Sequence, residues 1–226
     1  MEFKDNRAQD EIKKKKPSLA WLNYYLKEWA RADNYDMAIY VYQEKILEEV
    51  FKKYPDNTDE QIVRFKCNLV DKFYSTNLKE AISPKFKHER SIVEIIIKEE
   101  DFDKKVRSND EETQLKLIED LKTVYSKRAN DGTKEVTSFV SKYCSRHNPN
   151  GFPIYDRYVR ELLYYINKYH PYTEEKFTKK ALENDYRLYK KVIDAFRDKF
   201  FPNQKIGYKT LDCYLWTWAK EILRTP

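Results

Sequence analysis

From Leu19 onward, apolar residues recur every three or four positions, a spacing that predicts a succession of amphipathic helices. Ser18 stands where a cap belongs, and Leu19, Leu22, Leu26 and Trp29 form the stripe of the first packed helix. Ile39, Tyr42, Ile46, Val50 and Tyr54 form the second, stopped by Pro55-Asp56-Asn57. A capping pattern at Thr58 and Gln61 opens a third through Ile62, Phe65, Leu69 and Phe73, which ends by Pro84. The β-branched stretch RSIVEIIIKEEDF, residues 90–102, has the composition of a short strand but reads as a helix in this series. Leu115, Ile118, Leu121 and Tyr125 give the next stripe, followed by a tight turn at Asp131-Gly132. Val136, Phe139, Val140 and Tyr143 share one face; a further helix ends at His170-Pro171; one or two helices occupy residues 174–201; and Leu211, Leu215, Trp218 and Ile222 close the chain. Tryptophan at this spacing predicts core rather than a base-stacking platform.

The expected architecture is all-α, a compact multi-helix fold of two packed halves around a cleft. Residues 1–17 hold six bases and four acids and end in four lysines and Pro17, the pattern of a polar tail. Residues 18–226 then form a single helical domain, with a possible subdivision near 128–135. In FYSTN, residues 73–77, Tyr74, Ser75, Thr76 and Asn77 fall late in a helix, where hydroxyls bond a preceding carbonyl or cap a neighbour.

Composition narrows the function classes. Only 3 glycines occur, which argues against both a glycine-loop nucleotide-binding fold and an all-β fold. The 19 tyrosines, 12 phenylalanines and 4 tryptophans fill an interior that the aliphatic residues alone would not. Cys67, Cys144 and Cys213 are far apart, and no membrane-length apolar run appears, so a reduced, soluble, cytoplasmic protein is expected. The scattered histidines and the lack of a cysteine cluster argue against zinc, and nothing calls for a cofactor. With 44 Lys+Arg against 38 Asp+Glu the net charge of +6 permits nucleic acid without demanding it. A phosphate-binding surface needs local clustering, because evenly mixed charges cancel beyond a Debye length. Residues 134–170 supply it, with six bases against three acids.

Within that region SFVSKYCSRHNPNGFPIYDRYV, residues 138–159, concentrates polar and turn residues. Asn148-Pro149 stops the preceding helix, since proline disfavours the helical conformation in the residue before it. Lys142 falls off the apolar face, onto a rim with Ser138, Ser141 and Ser145 toward solvent. Phe152-Pro153-Ile154 re-enters the core as an extended piece. Asp156 arrives where a new helix begins, where an aspartate caps amide donors and meets a favourable dipole. The same position also fixes a carboxylate at the mouth of a cleft, with Lys142, Arg146, His147, Arg157 and Arg160 making the rim basic.

The 138–159 segment resembles a bacterial family related to the 8-oxoguanine DNA glycosylase fold, in the helix-hairpin-helix superfamily. FYSTN at 73–77 and LDCYLWTWAK at 211–220 are similar to further signatures of that group, so the resemblance covers about a fifth of the chain. It implies a DNA glycosylase: Asp156 matches the cleft aspartate, and Lys142 in the closer motif, or Lys134 after Gly132-Thr133, matches a lysine nucleophile. The glycine-rich hairpin of the superfamily is reduced to Asp131-Gly132, which leaves no full element to grip a phosphate through backbone amides. Under this reading Asp156 stabilises positive charge at the sugar while the base leaves. A lysine nucleophile requires desolvation or a cationic neighbour, for which Arg146 or Arg157 would serve. Arg146, His147, Asn148, Tyr155, Arg157 and Arg160 would contact DNA, and Tyr143, His147, Tyr155 and Tyr158 are candidates to line a pocket for an extruded base. The rival expectation is a non-catalytic helical module for DNA or a protein partner, with the same segment locking two helices together.

Overall fold

The computed structural model describes residues 6–31, 35–76, 78, 92–129 and 136–224. Lys134, Asp131-Gly132, Asn77, Pro84 and most of the expected subdivision near 128–135 lie outside the described residues. Among the described residues the protein is all-α, with twelve helices and no strand: α1 Asn6–Lys14, α2 Leu19–Ala30, α3 Tyr35–Lys53, α4 Glu60–Tyr74, α5 Ile92–Lys98, α6 Phe102–Val106, α7 Glu111–Ala129, α8 Thr137–His147, α9 Arg157–Tyr169, α10 Lys179–Asn184, α11 Tyr186–Phe200 and α12 Tyr208–Arg224. The β-branched residues of α5 are accommodated because Ile92, Val93, Ile95 and Ile96 are all buried; packing decides over intrinsic preference. No helix among the described residues is long and apolar enough to cross a membrane.

The chain divides into two units, one of residues 1–38 and 153–226 and the other of residues 39–152. In the first, α12 packs on α2 and α9, α1 lies on α9 and α12, and α10 and α11 follow against α9. The expected stripe Leu211, Leu215, Trp218 and Ile222 is buried, joined by Tyr214 and Ala219. Trp218, only 1% exposed, stacks with Tyr25 of α2 at 6.0 Å between centroids. A large aromatic residue buried this way contributes ~1.5–3 kcal/mol of transfer free energy. Ser18 caps α2, its hydroxyl accepting from the Trp21 amide at 3.3 Å.

The polar tail is corrected by α1. Ala8 and Ile12 are buried on it, and Gln9 accepts from the Tyr169 hydroxyl at 2.8 Å. His170 Nε2 lies 3.1 Å from the Ile12 carbonyl, and Lys15 pairs with Glu221 at 2.9 Å. Two apolar residues four apart suffice to dock a helix whose other positions are charged, and the high charge count conceals them.

In the second unit α4 packs on α5 and α8, and α7 on α5, α6 and α8. The expected α7 stripe is buried, with Leu117 added. Two faces are turned from their expected positions. On α3 Leu47 and Phe51 are buried while Tyr42 is 66% exposed, and on α4 Val63, Lys66, Cys67 and Val70 are buried while Phe65 is exposed. Both helices carry apolar residues on more than one stripe, so periodicity alone does not select the inward one. Asp59, not Thr58, caps α4, its carboxylate accepting from the Gln61 and Ile62 amides at 2.8 and 3.2 Å. The helix ends at a left-handed Ser75, and Asp71 accepts from the Leu78 amide at 2.7 Å and from the Thr76 hydroxyl. FYSTN therefore closes a helix, as its hydroxyls lead one to expect.

Candidate functional site

The eight predicted site residues divide equally, with Lys142, Arg146, His147 and Asn148 on the second unit and Tyr155, Asp156, Arg157 and Arg160 on the first. In the second unit they belong to α8 and its C-cap. Val136, Phe139, Val140 and Tyr143 anchor that helix as expected, but Ser141 and Ser145 are buried too, and Lys142 is only 3% exposed. The solvent-facing rim is thus corrected: α4 and α7 both pack on α8, so its polar side is enclosed as well as its apolar one. Lys142 Nζ donates to the Ser138 hydroxyl at 2.8 Å and lies 5.2 Å from the centre of the Tyr74 ring.

Arg146 is also held inward. Its guanidinium donates to Glu44 of α3 and to the Tyr74 hydroxyl, and the Tyr74 hydroxyl donates to the other oxygen of Glu44 at 2.6 Å. Tyr74 thus ties α4 to the same carboxylate. His147 sits among the rings of Phe51, Tyr143 and Phe102 at 4.9, 5.3 and 5.8 Å. Burial, with Lys66 and Arg107 nearby, holds its imidazole well below the usual histidine range, so it is neutral at physiological pH. Asn148 donates to the Val106 carbonyl at 3.1 Å and accepts from the Gly151 amide at 3.0 Å. These contacts fasten the end of α8 to α3, α4 and the α6 exit.

Gly151 completes that lock. A β-carbon there would meet Gln114 Nε2 at 2.5 Å and Asn148 Nδ2 at 2.8 Å. Both amides are committed, Gln114 donating to the Ser108 carbonyl at 2.6 Å. Gly151→Ala is expected to cost about 1–3 kcal/mol through this overpacking, read as a shifted urea midpoint at unchanged slope.

A polar cluster that sequence reasoning missed lies beside His147. Lys66, 0% exposed, donates to the Asp56 carbonyl at 3.0 Å and to Asn57 Oδ1 at 3.4 Å, and its ammonium lies 5.1 Å from the Phe51 ring centre. Asn57 also accepts from the Tyr143 hydroxyl, donates to Asp103 at 2.6 Å and faces His147 Nε2 at 3.2 Å. Burial pulls the Lys66 ammonium down to about 8 despite the opposing pull of Asp103. The signal for it is its spacing: Lys66 falls three residues after Val63 and four before Val70, inside an apolar stripe.

In the first unit Pro153, Ile154 and Tyr155 form a buried extended piece leading into α9. The Tyr186 and Tyr189 hydroxyls of α11 fix it by donating to the Pro153 and Ile154 carbonyls at 2.8 and 2.9 Å. Asp156, half-buried, caps α9 by accepting from the Tyr158 amide at 2.8 Å. Burial pushes the Tyr189 phenol well above its usual range, with Asp212 and Asp156 adding to the rise, so both carboxylates act on one hydroxyl. Within the first unit, the aspartate at the start of α9 and Asp212 of the 211–220 segment thus act on the same side chain. Arg160 pairs with Glu183 at 2.5 Å and Glu161 at 3.1 Å and donates to the Tyr155 hydroxyl at 3.2 Å. Arg157 is exposed, its guanidinium 4.7 Å from the Tyr158 ring centre, with its Nη2 donating to that hydroxyl at 2.8 Å. Lys220 of α12 lies 4.5 Å from the same ring and 5.1 Å from that of Trp216. Position and charge in 211–220 do not reveal Lys220, since only the fold carries α12 to the start of α9.

Comparison with known proteins places these residues in a lineage. The chain is 38% identical over 167 residues to an uncharacterized protein of Haemophilus influenzae, an alignment covering 74% of this chain and 71% of that one. No solved structure matches at a significant level. Residues 21–151 match the HI_0787_N family of N-terminal domains, a span that includes α8 and its Asn-Pro-Asn-Gly exit, and the chain belongs to that family.

Proposed function

We propose that this protein is a DNA glycosylase-like enzyme that extrudes a damaged or modified base and cleaves its bond to deoxyribose, with Asp156 carrying the chemistry. The observation that supports it most is the half-buried carboxylate at the entrance of α9, oriented by the Tyr158 amide and flanked by Tyr158 with its two cations. The resemblance of residues 138–159 to the 8-oxoguanine DNA glycosylase fold points to the same aspartate.

As the bond from the anomeric carbon to the base nitrogen lengthens, its electron pair leaves with the base and positive charge grows on the sugar. Asp156 stabilises that charge and accepts the proton of a water molecule whose oxygen bonds to the anomeric carbon. The departing base is protonated and an abasic site remains. Lys142 is assigned a positioning role in α8, because its buried amine is committed to the Ser138 hydroxyl and the Tyr74 ring. Arg146, His147 and Asn148 likewise hold α8 in place. These inward contacts also fit the alternative of a non-catalytic helical module, so the chemistry rests on Asp156.

The test is release of bases from a panel of modified oligonucleotides, read as alkali-labile strand breaks. Asp156→Asn is expected to lower the rate at least a hundredfold while changing stability by less than ~1 kcal/mol, because asparagine caps a helix as well as aspartate. No release from any substrate, or an Asp156→Asn variant as active as the parent, defeats the proposal.

A further inference from the structure

Along α2, α9 and α12 of the first unit, cations and aromatic rings alternate. Lys209 lies 5.7 Å from the Trp29 ring centre, Trp29 meets Trp216 edge-on at 5.6 Å, Lys220 lies 5.1 Å from Trp216 and 4.5 Å from Tyr158, and Arg157 lies 4.7 Å from Tyr158. Trp218, two residues on, is sealed in the core, whereas Trp216 and Tyr158 are half-buried and Arg157 is exposed. Lys209 has a carboxylate partner, Asp212 at 3.4 Å. Arg157 and Lys220 differ: among the described residues each is held by rings or a phenol rather than by an acid. Two like charges on one ring, neither paired with an acid among the described residues, make a site for an anion, and the half-buried indole of Trp216 adjoins them.

We infer that Arg157 and Lys220, bracketing Tyr158, bind the phosphodiester backbone of a nucleic-acid strand, with a base stacking on Trp216. The inference deepens the glycosylase reading by naming where the strand lies next to Asp156, and it rests on that reading for its choice of a nucleic acid as occupant. The guanidinium and the ammonium supply donors to phosphate oxygens, while the rings accept any base, so binding is expected to be indifferent to sequence and steeply sensitive to salt.

The test uses the full chain, a fluorescein-labelled oligothymidylate and its duplex, with anisotropy measured across a salt series. Arg157→Gln/Lys220→Gln is expected to bind at least tenfold more weakly at low salt and to flatten the plot of log affinity against log salt by about 1.4, from two strand contacts at about 0.7 each. Trp216→Leu is expected to weaken binding about tenfold at unchanged slope. Melting temperatures near that of the parent confirm that each variant is folded. Unchanged affinity and slope in the folded double variant, no binding by the parent, or equal competition by inorganic phosphate at the oligonucleotide's phosphate concentration overturns the inference. The two proposals fail separately. Loss of binding in the double variant, when no substrate loses a base, keeps the strand site and removes the enzyme; parental base release and affinity in the double variant do the reverse.

Discussion

Arg146→Ala is expected to destabilise the protein by about 3–5 kcal/mol and, at temperatures where it remains folded, to leave DNA affinity unchanged. The side chains of Arg146 and Glu44 are 9% and 15% exposed, so little solvent replaces either partner when one is removed. Truncation removes the cation beside the Glu44 carboxylate but leaves it the Tyr74 hydroxyl as a donor at 2.6 Å, which places the loss toward the lower end. For a domain of this size the melting temperature would fall by about 6–15 °C. Arg146→Met combined with Glu44→Leu separates the cost of an orphaned charge from the worth of the pair. Removing both ions is expected to recover most of the loss, because the pair's attraction is largely offset by its desolvation. A single-variant loss below about 1 kcal/mol would mean that the pair is solvated and Arg146 is available to a ligand. In that case its place among DNA-binding residues would be restored.

Arg146 also shows where sequence reading reaches its limit. The stripes of α7, α8 and α12 are legible because apolar residues dominate one face; Leu115, Phe139 and Leu211 are buried where spacing puts them. The cap at Asp156 and the break at Asn148-Pro149 are legible because their chemistry is local. The inward partners of Arg146 and Lys142 come from α3 and α4, residues 44 and 74, and no local pattern announces a pairing across that many residues. Polarity points to solvent, whereas the helix is enclosed and its polar side is satisfied by partners from distant segments. The surroundings of His147 come from distant segments in the same way, its imidazole lying among the rings of Phe51 and Phe102 as well as that of Tyr143 on its own helix. On α3 and α4 the difference is angular. With apolar residues spread over several stripes, Leu47 and Val63 rather than Tyr42 and Phe65 face inward, and only tertiary packing makes that choice.

Lys66 is the extreme case of polarity hidden in a core, and its effect on stability has a definite sign. The folded state holds its ammonium near 8 whereas an unfolded chain holds it near 10.5. Below pH 8 both states are protonated and the folded state bears the full desolvation cost, which for a fall of this size is ~3 kcal/mol. Between these values the unfolded state binds more protons, so this contribution to stability rises with pH. Buried Cys67 and Cys144 oppose it, because burial pushes their thiols up and the unfolded chain ionises them first. Lys66→Met removes the lysine while leaving those thiols in place, so the difference between the two proteins isolates the lysine. The parent is expected to gain about 2 kcal/mol on Lys66→Met between pH 7 and about 9.5, measured by urea unfolding at each pH. Parallel stability curves would mean that water reaches the amine. If the gain is observed, the ammonium is charged at neutral pH against its surroundings, held by the Asp56 carbonyl, Asn57 and the Phe51 ring. The same charge then helps keep His147 neutral, which couples the core of α4 to the end of the helix that the sequence singles out.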